Sequence, residues 1–300
     1  MAYFLGKEIY RQLVPGEKKA LKLFLNTLRS LSAAFSLDPV SGEPRINLQL
    51  GDINAPEMTL EEIFSYLENA DKPCIVAIDE FQQISRYPDK NVEALLRTHI
   101  QTMNNCHFIF AGSDRHILEQ MFSSYSKPFY NSAQPLRLGC IDKDKYVDFV
   151  VKNFDKAGIA IDSDVAGFCY DEFEGYTYYL HRIFHDIFSF SKEGDSIDKN
   201  VIKHTIDSIL EENSHSYGKT MAELPMAQKQ MLAAVAKERP AKNLTSGAFV
   251  KRNSLQSSSS AQKAVIKLLD QQLLTYDVTN GEKEYSVSDK FFERWLREVY

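Results

Sequence analysis

Apolar positions along this 300-residue chain change rhythm three times. In the first section, Cys74-Ile75-Val76-Ala77-Ile78 and His107-Phe108-Ile109-Phe110 are continuous apolar runs bounded by turn residues, the pattern of buried parallel strands. The intervening residues Asn91 to Met103 have helical spacing, so the order is strand, helix, strand, a right-handed crossover. Upstream, Phe4, Leu5, Ile9 and Leu13 line one face of a predicted helix from Ala2 to Leu13, which Pro15-Gly16 ends. A second helix is predicted from Glu17 to Phe35 on Leu21, Phe24, Leu25, Leu28 and Leu31. Phe35-Ser36-Leu37 and Ile46 to Leu50 then alternate around Asp38 to Glu43 and predict a hairpin. Thr59 to Asn69 predicts a short helix with Thr59 and Glu62 as its capping box. Ser132 to Leu138 predicts one more extended segment.

From Ile141 the rhythm becomes helical. Asp142 to Ala157 is amphipathic through Tyr146, Phe149, Val150 and Phe154, and Ser163 to Phe173 through Val165, Phe168 and Cys169. In the last section, helices are predicted at Ala227 to Lys237, Thr245 to Arg252 and Ser258 to Gln271. Two strands, Leu274 to Val278 and Tyr285 to Val287, then flank Asn280-Gly281. Three helices followed by a two-stranded hairpin spell a winged helix. The closing stretch from Ser288 predicts a helix whose buried stripe is Phe291, Trp295 and Val299.

Composition narrows the classes. With 44% hydrophobic residues the chain has enough apolar content for two or three cores. No run approaches eighteen apolar residues and no tripartite leader is present, so an intracellular, cytoplasmic protein without a membrane span is expected. Cys74, Cys106, Cys140 and Cys169 match neither a metal-site nor a disulfide-scaffold spacing and are expected as reduced thiols. The seven histidines form no HExxH-type pair. Charge is uneven: Met226 to Tyr300 carries twelve Lys and Arg against eight Asp and Glu, while the whole chain is at −6.

The chemistry concentrates where the first apolar run ends, at Asp79-Glu80. Two carboxylates at the carboxyl end of a parallel strand lie on the rim where α/β sheets bind ligands. One reading makes them a helix cap. The other gives Asp79 a Mg²⁺ ion and Glu80 an attacking water, the needs of phosphoanhydride hydrolysis. Ser113, after the second run, is expected at the same edge, beside Asp79.

In these residues the chain resembles a known family. Asp79-Glu80 looks like a Walker B motif, and Ser113 looks like the polar sensor at the end of the next strand in AAA+ ATPases. Ile78-Asp79-Glu80-Phe81-Gln82 with Phe110-Ala111-Gly112-Ser113-Asp114-Arg115-His116 resembles the STAND-like branch of archaeal and bacterial ATPases. The resemblance implies an α/β fold: an incomplete parallel-sheet P-loop NTPase core over residues 1–140, a helical lid over 141–225 and a winged helix over 226–300. It implies ATP and Mg²⁺ as cofactors, with Asp79 as metal ligand, Glu80 activating water and Ser113 sensing the γ-phosphate or positioning that water. Arg137 stands where an arginine finger could act, and Arg115 has a similar position. Glu174-Gly175-Tyr176-Thr177 resembles the Gly-x-Pro motif before a lid helix, with Thr177 in place of proline, and Arg182 or His181 would then reach phosphate.

One part of the pattern is missing. No G-x-x-x-x-G-K-[ST] precedes Asp79, and Gly218-Lys219-Thr220 has Asn213 where the first glycine belongs. The chain therefore reads as a member that begins after its phosphate loop, expected to hold Mg-ATP weakly and to be inactive alone. The implied protein is an ATP-driven switch whose winged helix meets a protein partner or DNA, the latter through Ser257 to Ser260, Gln262, Lys263 and Lys267. The alternatives are a non-catalytic protein-interaction module and a winged-helix DNA-binding regulator.

Overall fold

The computed structural model describes residues 2–13, 35–37, 44–46, 56–87 and 91–300. It divides into two compact units, Met1–Leu136 and Arg137–Tyr300. Both mix helices with small sheets of two or three strands. No helix among the described residues is long and apolar enough to cross a membrane.

In the first unit, helix α1 spans Ala2–Leu13 as the periodicity predicts. The helix predicted over residues 17–35 lies outside the described residues, except that Phe35 opens a strand. The hairpin pairs β1, Phe35–Leu37, antiparallel with β2, Pro44–Ile46, in the register Phe35↔Ile46. Its second strand thus ends where the sequence reading began it. Helix α2 runs Pro56–Glu68, so Thr59 is a fully buried interior residue and no cap. Pro56 explains the earlier start: proline has no N–H to lose and a helix-ready φ at a first position.

Strand β3, Cys74–Ile78, and strand β4, Cys106–Phe110, form a parallel pair with Cys74↔Cys106 and Ile78↔Phe110 in register. Helix α3, Val92–Ile100, is the crossover between them. The ladder continues past the strands, with Ala111 N–H donating to Ile78 at 2.9 Å and Phe81 N–H donating to Ala111 at 2.9 Å. A 3₁₀ turn, Phe81–Arg86, follows β3, and helix α4, Arg115–Ser123, follows β4 with Asp114 capping it through Ile117 N–H. Phe81 is buried against Phe110 at 4.3 Å between ring centroids and edge-on to Phe129 at 5.2 Å, which locks the chain just after the acidic pair. Residues 132–142 form no strand, contrary to the extended segment predicted at Ser132 to Leu138. Pro135 cannot donate to a ladder, and Leu136 and Leu138 are exposed rather than packed.

The second unit has one continuous core running from Tyr146 to Leu296, shared by the segments expected as lid and winged helix. Helices α5, Lys143–Lys156, α6, Ser163–Glu172, and α7, Thr177–Phe190, lead to the long helix α8, Lys199–Glu223. Next come α9, Met226–Lys237, α10, Gly247–Arg252, and α11, Ser258–Asp270. Strands β8, Leu274–Thr279, and β9, Glu282–Val287, follow, with helix α12, Lys290–Val299, at the end. Before them, β5, Ala160–Ile161, pairs in parallel with β6, Ser196–Ile197, and β7, Ala241–Lys242, joins β9. Side chains at Asp142, Asp198, Ser246, Ser257 and Asp289 accept from helix amides, which sets five of these starts. Asn280 and Gly281 both have positive φ, 52° and 82°, the requirement of a type I′ hairpin turn.

The closing helix departs from the predicted stripe. Phe291, Phe292, Trp295 and Leu296 are buried, while Val299 is 57% exposed in the last turn. Trp295 Nε1–H donates to Ser214 at 3.2 Å and Phe292 stacks on Tyr217 at 4.9 Å, so α12 is seated on α8. Beneath it lies a charged cluster. Glu293 is fully buried, 3.4 Å from Lys290 and 3.6 Å from Arg239, and both cations also reach Glu174, at 3.2 and 3.5 Å. All four cysteines are free thiols, three buried and Cys140 exposed. Burial pushes the Cys169 thiol up to about 12, which leaves it unreactive.

Removing Glu293 leaves the buried Lys290 and the partly buried Arg239 with Glu174 alone as their acid. Glu293→Ala is expected to cost about 3–5 kcal/mol, read in urea by the fluorescence of Trp295, the only tryptophan. A loss under about 1 kcal/mol, the range of an exposed pair, would show that the cluster is solvated.

Candidate functional site

The carboxyl edge of the β3–β4 pair holds the first three predicted site residues, Asp79, Glu80 and Ser113, all exposed to solvent. Glu80 has φ 49° and ψ 39°, a left-handed conformation that costs a non-glycine residue about 1–3 kcal/mol. That turn aims its carboxylate back across the sheet edge instead of along the following 3₁₀ turn. Ser113 Oγ–H donates to Glu80 at 3.0 and 3.2 Å, and Gln82 Nε2–H donates to the same carboxylate. Asp79 accepts from the backbone N–H of Glu80 at 2.9 Å. The serine expected beside Asp79 is therefore bonded to Glu80. Neither Ser113 nor Gln82 leaves Glu80 free to cap: the 3₁₀ turn has no side-chain cap bond.

Gln82 and Gly112 are the residues that sequence reasoning passed over, although both stand inside the motifs it quoted. Gln82 is buried to 1% exposure, and its Oε1 has no hydrogen-bond partner. A Cβ on Gly112 would lie 1.9 Å from that oxygen and 2.8 Å from Leu118 Cδ1. Glycine is required at 112 because the glutamine that holds Glu80 fills the space a side chain would take. Glycine immediately before a polar strand-end residue was the available signal.

The other predicted residues belong to the second unit or to different partners. Arg137 opens the second unit in an irregular segment. Arg115 pairs with Glu119 along α4 at 3.6 Å. Arg182, on α7, donates to Asp186 at 2.7 Å and to Glu212 at 2.8 Å. Burial pushes the Asp186 carboxyl up, but hydrogen bonds from Arg182 and His185 outweigh it and hold it below the ordinary range. The turn before α7 has Glu174 and Gly175 at positive φ, 53° and 75°, and a Cβ at 175 would lie 2.4 Å from the Tyr170 hydroxyl. Gly218-Lys219-Thr220 sits inside α8, its backbone committed to the helix, and is no phosphate loop.

As a donor set, two exposed carboxylates and a hydroxyl suit a hard, oxygen-seeking cation such as Mg²⁺ and a polarised water. Among the described residues no three His, Cys, Asp or Glu side chains converge as a metal cage. A Mg²⁺ ion here would accordingly need oxygens from a ligand and from water.

Part of the second unit has a match among known families. Residues 215–298 match the family model described as "Probable winged helix domain", which starts within α8. No curated protein matches the chain. Among solved structures, the Aeropyrum pernix ORC1 protein, solved in complex with DNA, is similar at 14% identity, covering 91% of this chain and 73% of that one, with a TM-score of 0.40. The Aeropyrum pernix ORC2 protein, solved as ADPNP-ADP complexes, is similar at 12% identity, covering 84% and 72%, also with a TM-score of 0.40.

Gly112→Ala is expected to destabilise the first unit by about 1–3 kcal/mol, the range of overpacking. In the Gly112→Ala/Gln82→Ala double variant the contact with Gln82 is gone and only the approach to Leu118 Cδ1 is left, so the cost should fall below the sum of the single changes in a denaturation cycle. Additive costs would mean that Gln82 does not set the requirement for glycine.

Proposed function

We propose that this chain is an ATP-dependent switch protein of the AAA+ type, in which an acidic rim on a parallel strand pair handles Mg-ATP and the second unit carries the response to a partner. The observation that carries this reading is the Glu80 carboxylate. It is exposed at the carboxyl edge, turned by a left-handed backbone, excluded from capping and held by Ser113. A structural cap would have needed none of this.

Asp79 would hold Mg²⁺ through oxygen, directly or through water. When bound, Mg²⁺ supplies charge neutralisation on phosphate oxygens. Glu80 would orient the attacking water and take its proton. The Ser113 hydroxyl has a single proton, now given to Glu80, so donating to a γ-phosphate would release the carboxylate from it. Ligand arrival would thus take the serine's bond from Glu80 and leave the one from Gln82. By resemblance Arg137 and Arg182 are proposed to contact phosphate, and Arg182 would have to exchange Asp186 or Glu212 for phosphate to serve. Without a G-x-x-x-x-G-K-[ST] segment the 300 residues lack the amide cradle that supplies most phosphate affinity, so Mg-ATP should bind only in the millimolar range.

A second reading, DNA binding by the winged helix, is favoured by the family match and by the exposed face of α11, with Ser258, Ser259, Gln262, Lys263 and Lys267. The charges of this face are largely paired within the chain: Lys267 lies 3.7 Å from Asp270, and Lys242 of β7 lies 3.5 and 2.7 Å from Glu282 and Glu284 of the hairpin. A protein partner is the alternative occupant of this face.

Two measurements separate the readings. Paramagnetic Mn²⁺ with millimolar ATP should broaden NMR signals around Asp79, Glu80 and Ser113, and Asp79→Asn should abolish it. Broadening elsewhere would end the nucleotide-site proposal, and micromolar affinity with Glu80-dependent turnover would end the claim of weak binding. For DNA, two lysines predict a log–log salt slope no steeper than about −2; a slope near −6 would make duplex binding the better assignment.

A further inference from the structure

Helix α7 carries a pair of side chains that neither the nucleotide site nor the winged helix uses. His181 and His185 are one turn apart on one face, both exposed, with ring centroids 6.1 Å from each other. His185 Nδ1 lies 3.2 Å from Asp186 Oδ1. The other oxygen of Asp186 accepts from Arg182 Nε at 2.7 Å, and Arg182 Nη2 donates to Glu212 of α8 at 2.8 Å. An ionised Asp186 can only accept, so Nδ1 of His185 is the donor and its Nε2 lone pair faces outward. A carboxylate behind the ring that fixes its tautomer and orientation is what metal-ligating histidines regularly have.

We infer that His181 and His185 form a chelate for a divalent transition-metal ion, with Cu²⁺ favoured over Zn²⁺ and water filling the remaining positions. Two neutral imidazoles are borderline ligands that suit Cu, Ni and Zn, and at a site with no imposed geometry the order of affinities places Cu²⁺ first. Metal–nitrogen bonds of about 2.0–2.1 Å fit an ion between the two rings after a modest rotation of exposed side chains. The neighbouring cation does not oppose the ion, because Arg182 is shared between Asp186 and Glu212. Asp186 is a positioning residue here and touches no metal. Its two metal ligands, His181 and His185, are not among the residues proposed to touch nucleotide, although Arg182, which bonds Asp186, is.

The test uses the untagged full chain, titrated with Cu²⁺ alone and then Zn²⁺ alone, with NMR broadening locating the first equivalent and EPR counting its nitrogen ligands. The first Cu²⁺ should broaden signals around His181 and His185 and show two imidazole nitrogens. His181→Ala or His185→Ala should each weaken it by at least about tenfold, and Asp186→Asn by about tenfold, with Asp186→Glu recovering part of the loss. All three positions are on a helix surface or its edge, and unchanged circular dichroism would certify the fold. A first equivalent that broadens other histidines, or binds a His181→Ala/His185→Ala variant equally well, would overturn the site. Equal affinity in Asp186→Asn would overturn the positioning role.

Discussion

A carboxylate with no solvent exposure has to be neutralised where it stands, and Glu293 imposes that condition on the whole second unit. Lys290, one turn earlier in the same helix, supplies part of the compensation, and Arg239, from the segment after α9, supplies the rest. Neither cation is fully satisfied by one acid. Both therefore extend to Glu174, the residue in left-handed conformation that turns the chain into α7. The backbone N–H of Val287 also donates to Glu293, at 3.3 Å, which ties the end of the hairpin to the same point. One buried charge thus fixes the closing helix, the hairpin and the start of α7 relative to one another. The segments read from sequence as lid and winged helix consequently behave as one packed body, with Arg294 reinforcing the join through Glu172 at 2.7 Å.

The first unit solves a smaller version of the same problem with neutral groups. Parallel register brings Ala111 opposite the residues that follow Ile78, and its two backbone bonds to Ile78 and Phe81 close the strand ends into a tight edge. Glu80 is caught between those bonds and has to take positive φ. Its carboxylate then meets the hydroxyl of Ser113 on one side and the amide of Gln82 on the other. The glutamine can be there only because position 112 lacks a side chain. Strain at Glu80, absence of a Cβ at 112 and burial of Gln82 are one arrangement seen from three residues.

Much of this was legible from local pattern. The apolar runs gave β3 and β4 with their parallel crossover, the amphipathic period from Asp142 gave α5, and Asn280-Gly281 located the hairpin turn. The misses share a cause. Thr59 had a capping spacing, but Pro56 is a stronger start signal and tertiary burial absorbed the threonine. Ser132 to Leu138 had strand-like composition, but a strand needs a neighbour with free ladder groups, and sequence spacing does not report neighbours. Val299 kept the helical period of Phe291 and Trp295, yet the helix leaves the core one turn before it. The partner of Ser113 depended on the φ angle of Glu80, which no propensity for glutamate foretells. Glu293 was indistinguishable in sequence from a solvated acid of an amphipathic helix.

These two arrangements differ in what they allow to move. At the acidic edge the bond from Ser113 to Glu80 is exposed and made by side chains with alternatives, so breaking it costs little. In the second unit Glu293 has no solvent exposure, so separating it from Lys290 and Arg239 would leave a buried charge uncompensated, while the Glu174 end of the cluster is open to water. The exposed hairpin rides on the same body, since β9 ends at Val287 directly above Glu293. The hairpin and the turn into α7 are thus joined through one buried carboxylate and the two cations that it shares with Glu174.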